Sequence, residues 1–107
     1  INILGTTFIM IKSKRPLNEV IKQRRTQMLI HSYLYYHEDT TLVSDDTWQR
    51  WANELRDLQE ANPKESKIDF FDKEFDGWTG DTGIHLPFNR WVISKARYIA
   101  SITSLHE

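Results

Sequence analysis

Two aromatic side chains and a carboxylate lie close enough in the sequence to bind a flat ring. Tyr35 and Trp48 flank a short polar segment, and Asp45 lies between them. A flat heteroaromatic cation binds well between two aromatic rings, because stacking is combined with attraction to the ring quadrupole. Asp45 would accept hydrogen bonds at the edge of such a ligand. The same aromatic residues would also suit a small helical core, and that alternative stays open.

A second group of residues combines aromatic, acidic and glycine side chains. Residues 75–87 read FDGWTGDTGIHLP. Such a loop either packs over a core or meets a protein partner, for which aromatic anchors supply most of the interface energy. Its acids would suit a basic protein surface. The residues that we expect to contact a partner are Phe75, Asp76, Trp78 and Asp81.

Several kinds of chemistry are disfavoured by the residue types present. The chain has no cysteine, which excludes disulfides, thiolate catalysis and Cys-ligated zinc. Its four histidines lack the spacing of a metal site, and no serine lies in a Gly-x-Ser-x-Gly motif. The acids of residues 69–81 lack the alternate-position spacing of a calcium loop. We therefore expect a protein without a metal site or catalytic residues, and not an enzyme.

Length and charge predict a single domain, residues 1–107, that does not bind nucleic acid or membranes. The net charge is −1, so nothing favours binding to polyanions overall. No apolar run approaches the roughly 18 residues that span a bilayer. We expect a location in the cytoplasm of a bacterial host. Residues 1–15 would form a leader or a flexible arm.

The spacing of apolar residues predicts a mainly α fold. Residues 17–62 read as a helical hairpin, with helices from Leu17 to about Tyr36 and from Asp45 to about Glu60. Ser44 is a suitable N-cap for the second helix. Arg24 and Arg25 would be solvated charges on the first helix, or would hold a phosphate.

The rest of the chain predicts one more helix after a long loop. Residues 63–89 lose periodicity and would form an aromatic and acidic loop, with turn signals that allow a short β-hairpin. An apolar face recurs from Arg90 to Leu105. The expected architecture is a three-helix domain that carries this loop.

The hairpin carries a set of residues at distinctive spacing: Tyr35-Tyr36, Ser44-Asp45, an aromatic at Trp48, and Glu54-Leu55 with Leu58 ahead of Asn62-Pro63. In this set it resembles the small helical Ia domain that opens bacterial NAD-dependent DNA ligases. In that family the domain closes over NAD and contacts its nicotinamide mononucleotide half. The resemblance covers about the middle half of the chain and implies the following cofactor-binding residues: Tyr35, Tyr36, Asp45, Trp48 and Gln49.

Two departures from the family bear on activity. Gln49 stands where the family has an aspartate, and losing a charge-assisted hydrogen bond costs about 1.5–3 kcal/mol. Binding would then be about tenfold weaker or more. The Lys-x-Asp-Gly nucleophile motif is also missing, because Lys67-Ile68-Asp69-Phe70 lacks the glycine and residues 73–77 have one residue too many. Ligation by this chain alone is excluded.

Three hypotheses follow. The first is a stand-alone, phage-encoded, ligase-like module without catalytic activity that binds NAD or nicotinamide mononucleotide. The second is a phage or mobile-element protein that binds and inhibits a host enzyme or defence nuclease, as an anti-CRISPR-type inhibitor does. The third is a weak NAD-consuming enzyme, for which the sequence offers no nucleophile or general base. A binding protein is favoured over an enzyme.

Overall fold

Three helices make up the regular structure of the chain. The computed structural model describes residues 16–105, with α1 at Leu17–His37, α2 at Asp45–Ala61 and α3 at Arg90–Leu105. Both α2 and α3 pack against α1, and within the described range they do not pack against each other. The prediction of a mainly α, three-helix domain is confirmed.

Two predictions on other segments have different outcomes. Residues 63–89 contain no strand, so the short β-hairpin considered there is not formed. The leader or arm predicted for residues 1–15 lies outside the described residues. Within residues 16–105, no helix combines the length and the apolar character needed to cross a membrane.

The central position of α1 follows from its composition. Its apolar side chains are distributed around much of the helix, as expected for a helix covered on several sides. Each fully buried aliphatic side chain contributes about 1.5–3 kcal/mol relative to exposure. The buried apolar residues of α1 are Ile21, Met28, Leu29, Ile30, Tyr33 and Leu34.

Side-chain caps fix where α2 and α3 begin. The Ser44 hydroxyl oxygen accepts a hydrogen bond from the Thr47 N–H at 3.1 Å, which confirms the predicted N-cap. Asn89 caps α3 in the same way and accepts from the Val92 N–H at 2.9 Å. The helix α2 ends at Ala61, before Pro63, which disfavours helical geometry in the residue that precedes it.

The connection between α1 and α2 is held by a carboxylate. Glu38 accepts hydrogen bonds from the Arg97 Nε at 2.7 Å and the Tyr33 hydroxyl at 2.8 Å. The bond from Arg97, followed in size of effect by the bond from Tyr33, holds the pKa of the Glu38 carboxyl below its usual value. The Thr40 N–H donates to the Leu34 carbonyl at 2.9 Å. The chain therefore leaves α1 in a defined direction.

The long loop at residues 62–89 folds onto the helices through its large side chains. Phe75, Trp78 and Leu86 are buried. The Trp78 indole N–H donates to the Ala52 carbonyl of α2 at 3.0 Å. Of the two expectations for this loop, packing over the core is the one that the structure shows.

Arg25 connects α1 to this loop and to α2. Its side chain is only 2% exposed, which corrects the expectation that it is solvated. Its Nε donates to Gln59 Oε1 at 2.8 Å, and its Nη1 donates to Asp72 Oδ1 at 2.7 Å. The same Nη1 contacts the Phe70 carbonyl at 2.6 Å, and Nη2 donates to the Ser66 carbonyl at 2.8 Å. A buried charge is tolerated here because it is paired and hydrogen-bonded.

The Asp72 carboxylate, which pairs with Arg25, also stabilises the turn at residues 68–72. It accepts hydrogen bonds from the backbone N–H groups of Ile68, Asp69 and Phe70. Partial burial raises the pKa of the Asp72 carboxyl, but the bonds from Arg25 and from these backbone groups outweigh it. The net effect is a lowered pKa. The carboxylate is thus stabilised in its ionised form.

Replacing Arg25 by Met should strongly destabilise the protein. Met keeps much of the apolar volume but leaves the Ser66 and Phe70 carbonyls without their donor, so we expect the free energy of unfolding to fall by about 3 kcal/mol or more. Urea titration followed by circular dichroism measures this. Arg24→Met is the matched control, because Arg24 pairs with the more exposed Glu54, and its loss should cost less than about 1 kcal/mol. Equal losses in the two variants would contradict the assigned role.

Acid should act partly through Asp72. Because its pKa is lower in the folded protein than in the unfolded chain, its stabilising contribution is present above the unfolded value of about 3.9 and is lost as pH falls through the folded value. We expect the unfolding free energy of the wild type to fall more steeply below about pH 5 than that of Asp72→Asn. Urea titrations at a series of pH values compare the two slopes. Parallel slopes would show that Asp72 is not responsible.

Candidate functional site

A pocket of about 230 Å³ opens at the corner where α1 ends and α2 begins. The last turns of α1 carry the two tyrosines, and the first turns of α2 carry the acid, the indole and the amide. Trp48 and Gln49 lie three and four residues after Asp45, so these three residues share one face of α2. The pocket brings together all five predicted cofactor-binding residues: Tyr35, Tyr36, Asp45, Trp48 and Gln49.

The aromatic residues of the pocket differ in their freedom to meet a ligand. Tyr35 is 57% exposed and Tyr36 is 38% exposed, and their rings meet edge to face at 4.9 Å. Trp48 is half-buried, and its ring contacts that of Trp78 at 6.5 Å. The pocket therefore has one indole held by the core and one phenol ring largely open to solvent.

Two polar residues of α1 line the same pocket and were not singled out from the sequence. Ser32 is 1% exposed, and its hydroxyl oxygen has no hydrogen-bond partner among the residues that the structure describes. The buried Nδ1 of His31 lacks a partner in the same sense. Leaving such a group unpaired costs about 1–3 kcal/mol, so each calls for an explanation. The sequence signal is their spacing, because they precede Tyr35 by one helical turn.

His31 offers a neutral imidazole to the pocket. Burial lowers the pKa of the His31 imidazole, so the ring is uncharged at neutral pH. It packs against the Trp51 ring at 5.6 Å. A neutral imidazole has one donor nitrogen and one acceptor nitrogen, and a serine hydroxyl both donates and accepts. The two side chains together have donor and acceptor capacity, but the His31 Nδ1 and the Ser32 hydroxyl oxygen are closed to solvent as the chain is packed here.

The far wall of the pocket comes from the long loop. Asp81 and Thr82 line it, and the Thr82 hydroxyl lies 3.0 Å from the Tyr36 hydroxyl in a hydrogen bond. The absence of a side chain at Gly83 allows this approach, because a Cβ there would lie 2.2 Å from the Ser32 hydroxyl oxygen. The loop can therefore reach α1 only with glycine at this position.

Gln49 lines the pocket and also makes contacts that the sequence did not predict. Its Nε2 donates to the Gly80 carbonyl at 2.9 Å and to Asn53 Oδ1 at 3.0 Å. A carboxylate has no N–H to donate, so the aspartate of the ligase family could not make these bonds. The φ of Gly80 is 84°, a conformation that glycine adopts readily. Gln49 is thus a positioning residue that ties the loop wall to α2.

The four residues predicted to contact a partner do not form one surface. Phe75 is fully buried and Trp78 is 5% exposed, so both pack in the core and neither is available as an anchor for a partner. The loop needs these rings to cover α1 and α2. Asp76 remains exposed, whereas Asp81 lines the pocket together with the predicted cofactor-binding residues. The structure therefore joins Asp81 to the other predicted site.

Replacing Gln49 by Glu should loosen the loop wall. The carboxylate would face the Gly80 carbonyl without a proton to share, and one lost hydrogen bond with an unpaired partner costs about 1–3 kcal/mol. We expect faster amide hydrogen exchange across residues 79–83, measured by mass spectrometry. Gln49→Met is the control, since it removes the bond without adding a charge and should have the smaller effect. If amide hydrogen exchange across residues 79–83 is unchanged in both variants, Gln49 does not hold the loop to α2.

The chain finds no match among protein-family models, curated proteins or solved structures. The resemblance to the ligase Ia domain therefore stays a prediction that rests on the hairpin residues themselves. Function has to be inferred from the side chains that line the corner pocket.

Proposed function

We propose that the corner pocket binds a nicotinamide nucleotide, NAD or nicotinamide mononucleotide, through its pyridinium ring. The protein would then be a binding module and not an enzyme. The observation that carries this proposal is the convergence of aromatic rings, an acid and two unpartnered buried polar atoms on one cavity. Ligand pockets commonly combine apolar walls with a few polar groups in this way.

The pyridinium ring would be recognised by the aromatic side chains. Trp48 is held by its contact with Trp78, so its position does not depend on the ligand. Tyr35 lines the same pocket and is largely exposed, so its ring is free to contact a ligand. A cation over an aromatic face gains about 0.5–2 kcal/mol, more as water is excluded. The two residues together provide an orientation as well as affinity.

The polar groups would select a nicotinamide over other flat cations. The carboxamide of nicotinamide carries an acceptor oxygen and a donor nitrogen, which the Ser32 hydroxyl and the His31 imidazole would complement once the loop at Gly83, which covers Ser32, moves aside. Pairing them would also remove the penalty of leaving these atoms unsatisfied. Asp45 lies exposed at the rim, where it can accept hydrogen bonds from ribose hydroxyls.

The pocket offers binding groups without an evident route to catalysis. The two lysines nearest to a ligase-type motif, Lys67 and Lys73, line a different cavity from the five predicted cofactor-binding residues. A lysine nucleophile would have to reach the reacting phosphorus directly. The residues of the corner pocket therefore serve to bind and orient the ring.

A protein interaction module that inhibits a host enzyme is the second candidate. It is favoured by exposed aromatic side chains on α3, where Trp91 is 40% and Tyr98 is 63% exposed. Aromatic residues are enriched among the energetic anchors of interfaces. The burial of Phe75 and Trp78 removes the anchors that the sequence assigned to it, so this candidate ranks below nucleotide binding.

Calorimetric titration with NAD and with nicotinamide mononucleotide tests the proposal. We expect measurable binding by the wild type, and a loss of about 2- to 30-fold in Tyr35→Ala, because this change removes one cation–π contact. Trp48→Ala should bind more weakly still. Tyr35→Ala is the sharper variant, since this side chain is largely exposed and its removal should leave the fold intact.

Two control variants separate the pocket from general surface effects. Tyr98→Ala removes an equally exposed tyrosine from α3, and Trp91→Ala removes a tryptophan outside the pocket. Both should bind like the wild type. If neither nucleotide produces heat with the folded wild-type protein, the proposal is wrong. Equal losses in Tyr35→Ala and Tyr98→Ala would place the ligand elsewhere.

A further inference from the structure

We infer that the corner pocket prefers a phosphate-free pyridinium nucleoside, of which nicotinamide riboside is the simplest, to the corresponding mononucleotide and dinucleotide. This inference rests on the proposed function, since it specifies which form of the nicotinamide ligand the same pocket takes. Three properties of the lining residues support it: their charge, the volume that they enclose and the kind of polar group at the rim.

The charged groups of the pocket are acidic. Asp45 lines it from α2 and Asp81 lines it from the long loop. Among the described residues that line the pocket, none is a lysine or an arginine. Arg50 follows Gln49 in α2 but is not one of the lining residues. Binding sites for phosphate usually provide arginine, lysine or the N–H groups of a helix start. The start of α2 does lie at this corner, but its Thr47 N–H already donates to Ser44, and Asp45 places a carboxylate there.

This arrangement treats the parts of a nicotinamide nucleotide in opposite ways. The pyridinium ring carries a positive charge, which two nearby carboxylates attract. A phosphate monoester carries a charge of about −1.5 to −2 at neutral pH, which the same carboxylates repel. Because both acids are exposed, water and salt screen these effects, and they amount to modest factors in affinity. Attraction of the pyridinium ring and repulsion of the phosphate nevertheless both favour the nucleoside.

The volume of the pocket points the same way. It encloses about 230 Å³, below the range of about 300–1,000 Å³ that holds drug-sized ligands. A pyridinium ring with one ribose is a ligand of this smaller class. A dinucleotide would have to leave its phosphates and adenosine outside, where the acids of the rim oppose the phosphates.

The rim supplies neutral hydroxyl groups that suit a sugar. Thr40 and Thr41 line the pocket from the α1–α2 connection, and Thr82 lines it from the loop. The Thr40 hydroxyl donates to the Glu38 carbonyl at 2.9 Å, so its oxygen can still accept. Threonine hydroxyls and the Asp45 carboxylate can together exchange hydrogen bonds with ribose. The Ser32 hydroxyl, which has no partner among the described residues, lies beneath this rim and is covered by Gly83 of the loop.

The test compares three probes by calorimetry with the full chain at low salt. Nicotinamide riboside is a cation, its 1,4-dihydro form has nearly the same size without the charge, and nicotinamide mononucleotide adds the phosphate. We expect the riboside to bind most tightly. The dihydro form should bind about tenfold more weakly, and the mononucleotide about 3- to 10-fold more weakly. The mononucleotide deficit should shrink in 0.5 M salt, where screening extends over only a few ångströms.

Substitution of the loop acid gives the decisive comparison. Asp81→Asn should move the affinity ratio of riboside to mononucleotide towards one, because the repulsion of phosphate is reduced. Asp76→Asn is the matched control, since Asp76 is an exposed acid of the same loop that lies outside the pocket. Its ratio should stay at the wild-type value.

The outcomes separate this inference from the proposed function. If the mononucleotide or NAD binds more tightly than the riboside, the inference is overturned while nicotinamide binding stands. An unchanged ratio in Asp81→Asn would also overturn it, because the assigned charge would have no effect. If none of the probes binds to the folded protein, the proposed function fails and the inference fails with it.

Discussion

The buried guanidinium of Arg25 is the contact on which the rest of this small protein depends. It emerges from α1 and meets an acceptor on α2 through Gln59 and three acceptors in the long loop. The loop there has tight geometry, with Phe71 at a φ of 54°. Strained backbone of this kind persists only where its surroundings determine it. The buried charge of Arg25 must be paired, and its acceptors in the loop lie beside this turn. The loop therefore has one stable path across the helices.

That path explains how a loop without regular structure can build one wall of a pocket. Beyond this turn, Phe75 and Trp78 lie in the core, and the Trp78 indole N–H donates to the Ala52 carbonyl. Gln49 then ties the next segment to α2 through the Gly80 carbonyl. The pocket wall is therefore positioned by contacts that begin at the opposite end of the loop, well away from the ligand that we propose.

The same contacts separate the two functions that the sequence suggested. Aromatic residues in a loop can anchor a partner or cover a core, and here the core takes both of them. The aromatic residues at the corner differ in exposure instead, because Trp48 packs against Trp78 of the core whereas Tyr35 is open to solvent. The pocket combines a fixed Trp48 ring, an exposed Tyr35 ring and buried polar atoms that lack partners among the described residues. Such a site suits a small planar ligand better than it suits a broad protein surface.

Sequence alone was sufficient for the three helices and for the Ser44 cap of α2, because helical periodicity, Ser44 and Pro63 act over a few residues. The positions of Tyr35, Asp45 and Trp48 around the turn, together with the resemblance to the ligase domain, also pointed to the residues of the corner. Only the tertiary structure decided that Arg25 is buried, that Asp81 joins the pocket and that Gln49 donates a hydrogen bond to the loop. Each of these depends on contacts between residues about 30 or more positions apart, and local propensity carries no information about such pairs.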